Sequence, residues 1–369
     1  MKTMVISGIN FYEGGPLSVF HDCLDNILES GVNKEYKIIS FVHKKELFSK
    51  YSKESNIEFL ELPRSRNNYF YRLWYEFVYF RDYSKKNKID IWLSLHDITP
   101  NVIADKRYVY CHNPSPFMKK NILNLRFSAK NYLFSLFYKY LYRINIHKNT
   151  AVIVQQEWIR NEFRKMYGTK NIIVARPTLN LQNNNVFEKT KKKNEDFLFI
   201  YPSYPRFFKN FEVICEACKI LEEKGVTGFK VLLTIDGSEN KYSNYIIMKY
   251  GNLSSIKFTG LLTRSDLFEK YKVADAMIFP SKLETWGLPI SEFKSLRKPI
   301  ILADLAYAYE TLGSYNKACF FDVGNAYALA EIMENEVNGL SMCSVVESKP
   351  IKEPYCKDWD SLLIRLLND

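Results

Sequence analysis

Glu284 and Glu292 stand eight residues apart in the run ADAMIFPSKLETWGLPISE, Ala274–Glu292. On one continuous helix the two carboxylates would face different directions, but Gly287 and Pro289 interrupt the run between them, so both can turn toward one ligand. Carboxylates accept hydrogen bonds from hydroxyls, and free backbone amides at a helix start receive phosphate oxygens. The residue types therefore point to a ligand carrying both hydroxyls and phosphates. Three further sets have the right chemistry. Gly14 and Gly15, in the loop Asn10–Pro16, let a ligand approach the backbone at a helix start, although two glycines in a turn are also simply a turn. His112 follows the strand pattern Tyr108–Cys111 and can donate to a hydroxyl or a phosphate; His96 occupies a similar place one strand earlier, and the choice between them stays open. Arg206 and Lys209 lie in PSYPRFFKN, between a strand and a helix, where a basic side chain either meets an anion or is solvated.

The elements that must position these residues can be read from periodicity. Ala276–Phe279 is a short apolar strand stopped by Pro280 and Ser281, and a helix can begin near Ile290. Polar groups then sit at the C-terminal end of a buried strand, where open α/β sheets form their ligand crevice. Met4–Ile9, Lys37–Val42, Ile57–Leu60, Ile89–Leu95, Tyr108–Cys111, Ala151–Val154 and Asn171–Ala175 read as strands of a first α/β domain, which the last of them closes. Tyr69–Tyr83 reads as one aromatic helix within it. Phe197–Tyr201, Lys230–Ile235, Ile256–Thr259, Ala276–Phe279, Pro299–Ala303 and Cys319–Phe321, the final strand, read as a second sheet. The polar stretch Leu179–Glu195 reads as a linker. The predicted boundaries are 1–180, a linker at 181–196, 197–350, and a C-terminal amphipathic helix within 351–369.

A chain of 369 residues, 47% apolar and 25% charged, suits two globular domains. Its net charge of +11 is uneven: residues 1–180 hold 28 Lys+Arg against 16 Asp+Glu, and 181–369 hold 24 against 25. Within residues 106–156 there are nine basic residues and no acidic one. In that tract Leu133, Phe134, Phe137, Tyr138 and Leu141 form a helical stripe, read first as core, whose flanking Lys119, Lys120, Arg126, Lys130 and Lys139 would favour an anionic membrane surface. No recognisable nucleic-acid module interleaves aromatic and basic residues. The cysteines show no zinc pattern, and free thiols in a reducing compartment are expected. No run of apolar residues is long enough to span a bilayer and the N-terminus reads as a strand, so the expected location is cytoplasmic. Asp358-Trp359-Asp360, the one Asp-x-Asp, reads as a helix cap, and no metal site is expected.

The run PSKLETWGLPISE resembles the signature of retaining nucleotide-sugar glycosyltransferases of family 4, in which two glutamates flank a Gly-Leu-Pro turn. FYEGGPLSVF resembles the same family's N-terminal glycine loop. The resemblance implies a GT-B fold: two Rossmann-like, doubly wound α/β domains facing across a cleft, with the C-terminal helix crossing back to the first. It implies that Glu292 accepts from ribose hydroxyls, that Glu284 and His112 lie near the transferred sugar, and that amides around Gly287 and Leu288 bind sugar hydroxyls or the distal phosphate. It also implies that Lys209, with Arg206 at a shifted spacing, neutralises the diphosphate, which Gly14 and Gly15 line. Glu284, Lys209 and His112 are then the catalytic candidates. The resemblance further implies a front-face, metal-independent reaction with no cofactor beyond the nucleotide-sugar donor, and a saccharide acceptor on a lipid carrier in O-antigen or capsule synthesis. An epimerase, a phosphorylase and a non-catalytic nucleotide-sugar-binding protein are the competing readings.

Overall fold

Strands covered by helices on both faces read as nearly continuous apolar runs, and IWLS, AVIV, IIVA, AMIF and IILA are buried throughout, with Ser94 the one polar residue among them. The computed structural model describes residues 1–118, 123–177 and 195–368 and divides the chain into two units. The first comprises Met1–Met118, Leu133–Thr178 and Ile351–Asp369, the second Lys119–Tyr132 and Leu179–Pro350. Most of the expected linker lies outside the described residues, as do Lys119 and Lys120.

In the first unit, β1 (Lys2–Gly8), β2 (Tyr36–Val42), β3 (Ile57–Glu61), β4 (Ile91–Ser94), β5 (Lys106–Cys111), β6 (Ala151–Val154) and β7 (Ile172–Ala175) lie in the order β3, β2, β1, β4, β5, β6, β7, all parallel. In the second, β8 (Phe197–Tyr201), β9 (Phe229–Leu233), β10 (Ile256–Phe258), β11 (Ala276–Phe279), β12 (Ile300–Ala303) and β13 (Tyr315–Phe321) run in the order β10, β9, β8, β11, β12, β13, with β14 (Ser344–Val346) added antiparallel at the edge. Each sheet reverses its strand order once, between β1 and β4 and between β8 and β11. These are two doubly wound, Rossmann-like sheets.

The last strand, β15 (Tyr355–Cys356), pairs beside β7, so the first sheet does not end at Ala175 and Cys319–Phe321 does not belong to the final strand. Strands of two and three residues carry too little alternation to be read from sequence. The helix Trp359–Asn368 buries Trp359, Leu362, Leu363 and Leu366 in the first unit's core, and Asp358 caps it by accepting from the Ser361 amide at 2.9 Å.

The aromatic helix runs over Tyr69–Lys86, with a π-helical segment at Tyr75–Tyr79. That segment buries Glu76 completely, beside the equally buried His96, whose Nε2 lies 3.1 Å from Glu76 Oε1. Burial pushes the Glu76 carboxyl up to about 8, with Arg72 opposing, and pulls the His96 imidazole well below its usual range. At neutral pH the pair is an uncharged acid beside an uncharged imidazole.

The apolar stripe of the helix Leu123–Arg143 splits. Tyr138 and Tyr142 are buried, Leu141 packs at the core edge, and Leu133 and Phe137 are exposed. The Phe134 side chain lies outside the described residues.

Glu76 carries a signed pH dependence. Its folded pKa is raised, so its contribution to stability is complete below the unfolded value of 4.5 and is lost as pH rises toward about 8. His96, lowered, loses stability only as pH falls through 6.5 and below. Between pH 6.5 and 9 only the Glu76 slope remains of the two. Glu76→Gln should therefore gain about 2 kcal/mol on the wild type across that window. Urea unfolding at both pH values measures it, and parallel pH profiles for the two proteins would refute the assignment.

Candidate functional site

In the second unit the loops after β8 and β11 leave neighbouring strands at the point where strand order reverses. The first passes through a 3-10 turn, Phe207–Lys209, and Asn210 with φ of 59° before the helix Phe211–Glu223. Asn tolerates that left-handed backbone, and its side chain donates to Pro280 O at 3.2 Å and Val323 O at 2.9 Å. Tyr201, fully buried at the end of β8, donates to Lys209 O at 2.8 Å and sits 3.1 Å from Ser281 Oγ. The Lys282 amide donates to Phe208 O at 2.8 Å. Thus the two loops are tied by buried hydrogen bonds before any ligand is present.

What they bring together is Lys209 and Glu284, whose Nζ and Oε1 form an ion pair with side chains only 17% and 11% exposed. A lysine ammonium has three donors, so the pair holds the cation while leaving donors for a second anion. Arg206, by contrast, is exposed, with its guanidinium 6.0 Å from the Tyr204 ring centroid.

Gly287 has φ of 86°, a backbone that favours glycine, and a Cβ there would meet Ile290 Cδ1 at 3.2 Å, so that side chain would have to give by a few tenths of an ångström. The turn starts the helix Leu288–Lys294, which has no side-chain cap. Trp286 anchors it, donating from Nε1 to Ser291 Oγ at 3.1 Å. Leu288 is exposed at its first position.

Glu292, on that helix, does not share Glu284's partners. Its Oε2 accepts from Tyr271 OH at 3.3 Å and its Oε1 lies 3.6 Å from Arg264 Nη2. Burial raises its carboxyl above the ordinary value, with Arg264 and Tyr271 opposing. Tyr271 and Arg264, toward the two ends of the helix Arg264–Val273, were missed in the sequence; an Arg seven residues before a Tyr carries no local signal.

In the first unit, Gly14 (φ 67°) and Gly15 open the helix Gly14–Glu29 and are exposed, and a Cβ on either would meet nothing within 4 Å. His96 and His112 are separated clearly. His96 is fully enclosed with Glu76 and Ser7 and has no surface to give a ligand. His112 is partly exposed, packed 5.5 Å from the Phe11 ring centroid, and its Nδ1 has no hydrogen-bond partner among the described residues.

Beneath His112 lies Asp97, which the sequence reading did not weigh. Held at φ of 73°, it turns its carboxylate under the loop that leaves β5. Its Oδ1 accepts from the His112 amide at 2.8 Å, the Asn113 amide at 3.0 Å and Tyr142 OH at 2.8 Å, and its Oδ2 from Tyr138 OH at 3.3 Å. Arg72, 7% exposed, donates to His96 O at 3.0 Å and to Tyr138 OH at 3.3 Å. Tyr138 OH thus lies within hydrogen-bond reach of both the Arg72 guanidinium and the Asp97 carboxyl group. Asp97→Ala should speed hydrogen exchange at the His112 and Asn113 amides by roughly tenfold or more; unchanged exchange there would show that another group holds the loop.

Comparison with known proteins follows the same division. Residues 182–339 match the family model Glycosyl transferases group 1. The putative glycosyltransferase EpsD of Bacillus subtilis is 23% identical over 168 residues, which are 46% of this chain and 43% of that protein, so the match spans less than half of the relative's length. Among solved structures, the lipopolysaccharide outer core galactosyltransferase WaaB has a TM-score of 0.62 at 13% identity, covering 95% of this chain and 92% of that one. The Anabaena protein HepE in complex with UDP-glucose has a TM-score of 0.55 at 12% identity, covering 91% and 89%. The chain has the GT-B fold of these structures, and its residues 182–339 are similar to the Glycosyl transferases group 1 family.

Proposed function

We propose that the protein is a retaining glycosyltransferase that moves a hexosyl or deoxyhexosyl group from a nucleoside-diphosphate sugar to a saccharide acceptor on a lipid carrier, in the synthesis of an O-antigen or capsule. The observation that carries the reading is the Lys209–Glu284 pair, set by buried hydrogen bonds at the strand-order reversal of the second unit. Departure of a nucleoside diphosphate develops negative charge that fixed donors must meet. Lys209 supplies such donors, Arg206 adds an exposed one, and the Gly287–Leu288 amides add uncharged ones. This needs no metal. Glu284 orients the lysine and accepts from a sugar hydroxyl, and Glu292 accepts from the ribose. Substitution proceeds on the face that the leaving phosphate vacates, with that phosphate taking the acceptor's proton.

Attachment to a membrane face fits the first unit's surface. Leu133, Phe137 and Tyr140 are exposed near Lys139 and Arg143 on one helix, and Phe70, Trp74 and Val78 on another. Among the described residues no helix is long and apolar enough to cross a membrane. Peripheral binding on the cytoplasmic side would give salt-sensitive flotation with anionic liposomes, and no flotation at low salt would remove it.

The direct test is release of nucleoside diphosphate from a panel of nucleotide sugars, UDP-glucose among them, followed by mass analysis with saccharide acceptors. Lys209→Ala should lower turnover by roughly tenfold to a thousandfold, while Glu292→Ala should chiefly weaken nucleoside-diphosphate affinity. Interconversion of the donor to its epimer without acceptor would mark an epimerase. Binding without release of diphosphate under any acceptor would mark a non-catalytic protein.

A further inference from the structure

Two cysteines in the second unit meet away from the residues discussed so far. In β13 and β14 Ala318 stands opposite Ser344 in an antiparallel pair, so Cys319, one residue on, and Cys343, one residue back, also face each other. Directly opposed residues on one face of such a pair have side chains close enough to touch. Their Sγ atoms are 2.6 Å apart. That is well inside non-bonded contact and within about 0.6 Å of the S–S bond length of about 2.05 Å. Glu336, 5% exposed near the end of the helix Ala326–Val337, closes the cluster: its Oε1 accepts from Ser341 Oγ at 2.5 Å and from Cys343 Sγ at 3.5 Å.

We infer that Cys319 and Cys343 form a reversible disulfide when the protein meets a small-molecule disulfide oxidant of the glutathione type. The two thiols have different parts. Cys343 is partly exposed and is the one an oxidant reaches; Cys319 is buried. Cys319 is also held protonated, first by its hydrogen bond with Cys343 and then by burial. The Cys343 thiolate attacks one sulfur of the oxidant, RSSR, forming a mixed disulfide and expelling RS⁻, which takes a proton. The Cys319 sulfur then attacks the Cys343 sulfur, its proton leaving with the second RS group as RSH. The two cysteines are oxidised by two electrons, and one RSSR is reduced to two RSH.

A metal shared by Cys319, Glu336 and Cys343 is the competing use of the same atoms. Two thiolates on one tetrahedral zinc, each about 2.3 Å from it, stand roughly 3.7 Å apart. The sulfurs here would have to separate to bind zinc but need only close slightly to bond each other. The remaining cysteines do not compete. Cys23, Cys111, Cys215, Cys218 and Cys356 are buried, and Cys215 and Cys218, a C-x-x-C pair overlooked in the sequence, sit within the helix Phe211–Glu223 with thiols that burial pushes up. Closing the bond would pin the edge strand β14 to β13 just before the chain leaves the second unit at Pro350.

The experiment treats the full chain with glutathione disulfide, blocks remaining thiols with iodoacetamide, and maps peptides by mass spectrometry with and without reductant. The expected result is a reductant-sensitive cross-link joining the Cys319 and Cys343 peptides, lighter than the two thiol peptides by two hydrogens. Oxidation should also raise the melting temperature of the wild type by several degrees and leave Cys343→Ser unmoved. Recovery of both cysteines alkylated after oxidation would overturn the inference. So would purified protein holding stoichiometric zinc that Cys343→Ser releases, which would assign the cluster to a metal.

Discussion

Parallel strands cannot be joined by a tight turn, and that single constraint organises both units. Each strand must be followed by a crossing segment that returns over the sheet. Every strand therefore releases its loop at the same edge, and where the strand order reverses, neighbouring loops part to opposite faces and leave backbone and side chains unclaimed. The loop after β1 carries Gly14 and Gly15, and those after β4 and β5 carry Asp97 and His112. In the second unit the same rule brings Lys209 from β8 beside Glu284 from β11. None of these residues is near its partners in sequence; the sheet order makes them neighbours.

Burial then decides which of the charged groups can act. A charge removed from water survives only with a partner or by losing the charge. Glu76 and His96 lose theirs, and the pair becomes a neutral wedge under the π-helical segment. Arg72 and Asp97 both lie within hydrogen-bond reach of Tyr138 OH, and Asp97 uses its remaining acceptor capacity to fix the loop of His112. Thus a histidine that is equivalent to His112 by sequence position is excluded from the surface by its surroundings. Lys209 and Glu284 are the contrasting case, partly shielded yet still open, where each side chain orients the other.

Much of this order was legible in the chain. The strands Ala151–Val154, Phe197–Tyr201 and Ala276–Phe279 are found where periodicity and punctuation put them. Glycine at 287 could be read as a turn because only its backbone freedom fits there. Illegible were features with no local period: the two-residue β15, the π-helical break at Tyr75–Tyr79, and partners fixed by topology, such as Tyr271 for Glu292 or Asp97 for the His112 loop. The stripe on Leu123–Arg143 misled for a related reason. Spacing of three and four marks a face, but not what covers it, and Leu133 and Phe137 are exposed while Tyr138 and Tyr142 are buried.

The ion pair at Lys209 also bears on how a diphosphate leaving group would be met. A lone lysine at the strand-order reversal would attract phosphate strongly but would have to be ordered as charge develops, and reorganisation of that kind is what fixed donors avoid. Pairing with Glu284 gives up part of the net attraction, since the two charges sum to zero, in exchange for orientation before the ligand arrives. The carboxylate remains an acceptor that a sugar hydroxyl can engage on the same ligand. Under the proposed function, a site built this way would favour a molecule presenting phosphate to the lysine and a hydroxyl to the glutamate at once over phosphate or free sugar alone, because each of those satisfies only half of the pair.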